Sequence, residues 1–451
     1  MNARPLTLFL GERQTKRRTP YPKSVYVAAL LLAILFIPCV QALLGYQLIR
    51  ILVAVWALWG LLFLLESKNI LMRIASGRRL ELSVFALWCL ILLIYPLANP
   101  QAGNINVLMG DLEKLLYGLI PITMCYFMGI AYEVRGESRA FPFLIKWLLV
   151  GMAVNALIAT PSLLGSELVI REHLNTYQET AVTEQNLGLL GFGSLGFYGV
   201  MVFLAPFFAD LIIRAKRIKR LILASLSIPI LINLYLTGLL IIFTTMILSL
   251  VLYFALMIIK LKRNWRYMAG LIVIGLVIIF LGYRLSGFHT FKYQMNKIDA
   301  LMNPSRVTVE GDTSEKRFER YGASIETFVA FPFLGAGLEA TDVELKSYWI
   351  GGHSGILDGF AMYGLLFCVY LVFLLIKFRQ LQALRKRNPQ EIWCDAGLCA
   401  IVIYFFLILL DPLLIDGFLG GAFFFFLGGR VHPLHEYHRP SSRRLLGNRT
   451  L

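Results

Sequence analysis

The chain has 451 residues, of which 58% are apolar, 13% aromatic and only 16% charged, against roughly 45–50% apolar and about 25% charged in soluble domains. That excludes an ordinary soluble enzyme, and twelve helices of about 20 residues would use roughly 240 residues, leaving little for a separate soluble domain. The net charge of +16 then concerns which loops hold it, since basic residues favour the cytoplasmic side, and not a nucleic-acid partner.

Apolar runs fall at 25–44, 47–65, 83–98, 115–132, 142–163, 187–213, 221–235, 238–259, 267–285, 354–376, 393–410 and 417–430. The stretch from Leu221 to Ile259 is too long for one crossing at 1.5 Å per residue, and the interruption from Asn233 to Gly238 predicts a turn between two helices. The fold class expected is an all-α polytopic integral membrane protein with about 12 transmembrane helices. The first run has basic residues before it but no small-residue cleavage site after it, so it is expected to stay attached.

Basic clusters recur in every second connection: ERQTKRR, KNILMRIASGRR, EVRGESR, RAKRIKR, KLKRNWR, KFRQLQALRKR and the tail from Arg430. With Arg4, Lys23 and Lys146, which fall on the same side, these segments hold 32 of the 43 Lys and Arg, leaving 11 on the other side against 18 acidic residues. Both termini are therefore expected in the cytoplasm. The organisation reads as a cytoplasmic tail 1–24, helices one to nine over 25–285, a large outer (periplasmic) loop 286–352 between helices nine and ten, helices ten to twelve over 353–430, and a basic cytoplasmic tail 431–451. The six cysteines all lie inside apolar runs, which predicts neither disulfides nor a thiolate metal site.

A 67-residue loop without a functional reason would be unusual. Within it, residues 314–331 read as a helix with three strips at 100° per residue. Phe318, Tyr321, Ile325, Phe328 and Val329 form an apolar arc. Glu315, Glu319 and Glu326 lie roughly opposite it. Arg317, Arg320 and Ser324 form the third strip, away from the carboxylates, so the two guanidinium groups are expected to be available to an external anion. Guanidinium matches phosphate oxygens by bidentate hydrogen bonds and stays charged, which suits an amphiphile with a diphosphate head. A surface helix on anionic lipid heads is the plainer reading. Pro332 should end the helix, and Gly335 and Gly337 permit a sharp turn. Gly351 and Gly352 then lead to His353 at the membrane boundary, where imidazole could take a proton from a sugar hydroxyl or simply bond to backbone groups at a helix start.

These residues resemble a family. Arginine, an aromatic four residues on, a helix, Phe-Pro-Phe-Leu-Gly-Ala-Gly, a variable loop, then Gly-Gly-His-Ser with Leu-Asp and Tyr-Gly is similar to the C-terminal signature of O-antigen ligases and O-antigen or exopolysaccharide polymerases of the Wzy type. The motif covers about residues 314–366; the topology resembles that family over the whole chain. The resemblance implies a GT-C-like, metal-independent inner-membrane glycosyltransferase without cofactor. Its donor would be an undecaprenyl-diphosphate-linked oligosaccharide, with membrane lipids and a chain-length regulator protein as further partners. It carries over Arg317 and His353 as catalytic residues and Pro332, Gly335, Gly337 and Gly352 as the turn that places them; Arg320 is added from the helix geometry. Two departures stand out. Ser354 replaces the usual asparagine, and the sequence around Thr237 lacks the arginine of a Thr-x-Ser-Arg motif, for which Arg284, Arg171 or Arg306 would substitute at the substrate.

Other residues have weaker patterns. Glu339, Asp342 and Glu344 could supply paired carboxylates, or be solvated loop acids, with Glu339 a candidate for substrate binding. Asp358, one turn inside the tenth span, either orients a sugar hydroxyl or meets the near end of the loop. His432, His435 and His438 have metal-like spacing, but Pro433 breaks any helix that would align them, and no metal site is expected. A secondary transporter or a flippase for lipid-linked repeats remains the alternative of another class. Its six-plus-six repeat would place the long linker after the sixth span, where this chain has only RAKRIKR.

Overall fold

The computed structural model describes residues 21–66, 79–98, 105–135, 140–164, 190–237, 239–261, 314–336, 350, 354–387, 394–411, 413 and 417–428. Among them all regular structure is helical. In chain order the helices are α1 Lys23–Phe36, α2 Pro38–Leu44, α3 Leu48–Glu66, α4 Arg79–Ala98, α5 Ile105–Arg135, α6 Ala140–Leu164, α7 Leu195–Arg214, α8 Arg217–Leu236 and α9 Leu240–Leu261. There follow α10 Ser314–Ala330, α11 Gly355–Tyr363, α12 Cys368–Arg387, α13 Cys394–Leu410 and α14 Gly417–Phe423, the last continued by a π-helical turn Phe424–Gly428. The expected span 267–285 and the two tails beyond Tyr21 and Gly428 lie outside the described residues.

Four stretches among the described residues are long and apolar enough to cross a membrane: Ala140–Pro161, Leu195–Arg214, Arg217–Leu236 and Gly355–Lys386. A bent pair formed by α1 and α2 makes a fifth, and shorter apolar helices cover Leu80–Ile94, Ile241–Met257, Cys394–Leu410 and Leu419–Gly428. The chain is thus a helical, multi-pass membrane protein by the length and composition of its helices. The turn expected between 233 and 238 is present, since α8 stops at Leu236 and α9 starts at Leu240.

The first expected span is not one straight helix. It breaks at Ile37 and bends by 89°, because Pro38 forces the residue before it out of the helical region, and Ile37 is extended at φ −122°, ψ 107°. Backbone groups exposed by such a break must find partners inside a membrane. Here Asn155 Oδ1 accepts from Cys39 N (3.2 Å), and Gln41 Nε2 donates to Leu35 O (2.7 Å). The tenth span also breaks, at a 3₁₀ turn Gly364–Phe367 between α11 and α12. All six cysteines are free thiols.

The core is aromatic where α4, α5, α12 and the last helix meet. Phe85 packs on Tyr126 with centroids 4.2 Å apart, and Phe373 stacks on Phe424 at 5.3 Å. Glycines bring the last helix in close. A Cβ on Gly420 would sit 2.8 Å from Ile122, and one on Gly428 would sit 3.0 Å from Tyr126, as expected of small residues at membrane helix interfaces.

Side-chain bonds sort the helix ends into two sets. Ser24 at the start of α1 bonds to Glu66 at the end of α3 (2.6 Å), and Tyr132 late in α5 donates to the Ser24 carbonyl (2.9 Å). Glu81 at the start of α4 accepts from Tyr126 of α5 (2.8 Å) and pairs with Lys377 of α12. Asp210 late in α7 pairs with Arg214 (2.8 Å) and accepts from Tyr253 late in α9 (2.7 Å), while Arg385 of α12 pairs with Asp395 at the start of α13 (2.7 Å). In sequence these are the helix ends that adjoin the basic connections. The opposite end holds Asn155 with Gly191 (2.8 Å), and Gly355 N with Asp411 O (3.0 Å). It also holds α10, which packs on α11.

Candidate functional site at the α10–α11 junction

Helix α10 forms where expected and stops before Pro332. Its face toward the bundle is not the apolar arc. Ala323, Ser324 and Thr327 are buried, whereas Ile325 and Val329 are exposed, and Phe328 is half-buried against Phe360 of α11 with ring centroids 5.3 Å apart. Small side chains let two helices approach closely in a membrane, while large apolar ones are at home facing lipid; soluble-protein patterning therefore points the helix the wrong way. The strip that carries Ser324 is also that of Arg320, and of Arg317 by register. Arg320 is half-buried and makes an interaction within the fold. This corrects the expectation that it waits unengaged for an external anion.

Asp358 joins the two helices. Its Oδ1 accepts from Ser324 Oγ at 2.6 Å and its Oδ2 from Ser354 N at 3.2 Å. The carboxylate is buried and sits in the first turn of α11, where the helix dipole favours negative charge. Ser354 caps α11 by accepting from Leu357 N at 3.3 Å. Serine and asparagine are comparably good N-caps, so the departure at 354 keeps the capping chemistry. Of the two readings offered for Asp358, contact with the near end of the loop is the one its geometry fits, because Ser324 belongs to that loop.

The Phe-Pro-Phe-Leu-Gly segment is a turn clasped to the end of α11. Gly335 N donates to Phe331 O (2.9 Å), Ala336 N to Ala361 O (2.8 Å) and Leu365 N to Pro332 O (2.8 Å). Gly335 has φ +74°, and a Cβ there would stand 2.2 Å from the Met362 carbonyl oxygen; Gly364, at φ +56°, would meet Pro332 O at 2.6 Å. Both positions require glycine. Pro332 and Gly335 thus serve as the turn expected of them, while Gly337 and Gly352 lie outside the described residues.

His353, Arg284, Arg171, Arg306 and Glu339 also lie outside the described residues. In sequence His353 immediately precedes the cap Ser354. Thr237 is buried and structural in its contacts: its hydroxyl donates to Leu234 O (2.8 Å) and accepts from Leu239 N (3.3 Å), closing the α8–α9 turn. Among the described residues no group of His, Cys, Asp and Glu could hold a metal ion. Sequence reasoning missed the clasp made by Ser324 and Ser354; the signal was the small residues at 323, 324 and 327, one helical face. No protein-family model matches the chain, and no curated protein matches it.

Proposed function

We propose that the chain polymerises undecaprenyl-diphosphate-linked oligosaccharide repeats at the periplasmic face of a bacterial inner membrane, as a metal-independent, GT-C-like glycosyltransferase with about twelve spans and both termini in the cytoplasm. The observation that supports this best is the junction itself. The arginine-bearing face of α10 is held against the start of α11, next in sequence to His353, at the end of the bundle away from the basic connections.

In this reading an acceptor hydroxyl attacks the anomeric carbon of the donor. The new C–O bond forms as the bond to the diphosphate breaks, the leaving diphosphate takes the electron pair, and His353 accepts the hydroxyl proton. Arg317 and Arg320 stabilise the negative charge that develops on the leaving group, a role preorganised donors fill best at a low-dielectric boundary. Arg171, Arg284 and Arg306 are the candidates for the phosphate contact missing near Thr237, and Glu339 is a candidate for binding sugar. Asp358 acts through Ser324 and Ser354 and is a positioning residue.

Arg317→Ala should remove polymer while the protein level stays constant, a loss of about 2–4 kcal/mol in transition-state stabilisation by analogy with removing one oxyanion donor. Gel profiling of surface glycan in a deletion strain complemented with the variant measures it; near wild-type chain lengths would remove the reading. His353→Ala should lose less, since a diphosphate is already a good leaving group. The same gels separate the related ligase activity: a single repeat on the lipid core marks a lost polymerase, and free core with lipid-linked polymer marks a lost ligase. Repeat units held on the cytoplasmic face would mark a flippase.

A further inference from the structure

Contacts between α10 and α11 advance in step. Ser324 bonds to Asp358, Phe328 meets Phe360, and Pro332 O accepts from Leu365 N. The two helices therefore run side by side in the same direction. Because α11 opens the span Gly355–Lys386, α10 runs inward with it. At 1.5 Å per residue Leu365 lies roughly 15 Å below Gly355, well within a hydrocarbon layer of about 30 Å.

The C-terminal half of α10 and its turn suit that depth. Ile325, Val329, Phe331, Phe333 and Leu334 are all exposed, from 40% at Phe331 to 73% at Phe333. The charged residues Glu315, Lys316, Arg317, Glu319 and Arg320 occupy the first half; beyond them only Glu326 is charged, close to the level of Asp358. Irregular backbone in hydrocarbon is tolerated only where its polar groups are satisfied by protein. Here proline contributes no donor, its carbonyl is bonded, and Phe331 N, Gly335 N and Ala336 N all find carbonyls at 2.8–3.0 Å. The patch also continues the exposed apolar surface of the span beside it, at Leu365, Val372 and Leu375.

We propose that α10 is a re-entrant helix. It enters the bilayer beside α11, turns at Pro332–Gly335 inside the hydrocarbon, and presents Ile325, Val329, Phe331, Phe333 and Leu334 to lipid acyl chains. The arginine strip is then held at headgroup depth by an apolar anchor below it. The helix is part of the segment that sequence alone assigns to a large outer loop, with the helix on the membrane surface.

The test uses full-length protein carrying Phe333→Cys or Val329→Cys, with Glu319→Cys as the control on the same helix. Each is labelled with an NBD fluorophore and reconstituted into phosphatidylcholine vesicles, with labelled wild type giving the background from native cysteines. Spin-labelled phosphatidylcholine should quench the dye at 333 and 329, and quenching by aqueous iodide should fall severalfold there relative to 319. Iodide quenching at 333 and 329 equal to that at 319 would overturn the proposal, since the patch would then lie in water. Protection from both quenchers would overturn it too, because another segment or a second copy of the chain would be covering the patch.

Discussion

The two ends of the bundle handle buried polarity differently. At the end with the basic connections, carboxylates meet cations: Glu81 with Lys377 and Asp395 with Arg385 across helices, and Asp210 with Arg214 one turn along α7. At the α10 end, Asp358 is held by a hydroxyl and a backbone amide, and the turn after α10 is held by backbone hydrogen bonds. Losing one partner of a buried ion pair costs about 3–5 kcal/mol, whereas a single hydrogen bond contributes only about 0.5–1.5 kcal/mol. Among these contacts, those at the first end are the costlier to break.

The sharpest way to break this contrast is Lys377→Met. Lys377 is fully buried and lies against both Glu81 and the Phe373 ring, so the variant leaves a carboxylate without its cation and should lose about 3–5 kcal/mol of stability. Thermal unfolding in detergent measures this. Adding Glu81→Gln should restore most of the loss, and a stable single variant would mean that the pair pins nothing. Gly335→Ala should cost less, about 1–3 kcal/mol for a side chain forced into a left-handed backbone. If the proposed function holds, its effect should appear as lost glycan product more than as lost folded protein. Ser324→Ala comes last: it removes the hydroxyl that donates to Asp358 Oδ1, a single hydrogen bond that contributes about 0.5–1.5 kcal/mol, and Ser324→Thr should restore it. If Ser324→Ala destabilised the bundle as much as Lys377→Met, the two ends would be equally pinned.

Apolar runs made the helices legible, and Asn233–Gly238 correctly marked a turn, because a run longer than a bilayer must fold back. The 314–331 helix was equally legible from its periodicity. Its orientation was not. Periodicity groups residues into faces but does not say which face meets protein and which meets lipid, and at this helix the small Ala323, Ser324 and Thr327 go inward while Ile325 and Val329 go outward. The bend at Ile37 was written in Pro38 yet masked by unbroken apolarity around it. Lys377 counted as one more cytoplasmic charge, since nothing local reveals that Glu81, far away in the chain, is waiting for it. Asp358 was marked as a residue of interest by its cost in a membrane, but its partner Ser324 became visible only once α10 and α11 were side by side.

The facing glycines Gly335 and Gly364 also bear on how the site can be mapped. A Cβ on Gly335 would stand 2.2–2.5 Å from backbone atoms of Met362 and Tyr363, and one on Gly364 would stand 2.6–2.7 Å from backbone atoms of Pro332, Phe333 and Gly335. A scanning survey will therefore score both as indispensable whatever the protein does. Inactivity at either position measures clearance between two chain crossings and carries no information about substrate contact, so a functional map of this region has to be drawn from the side chains around them.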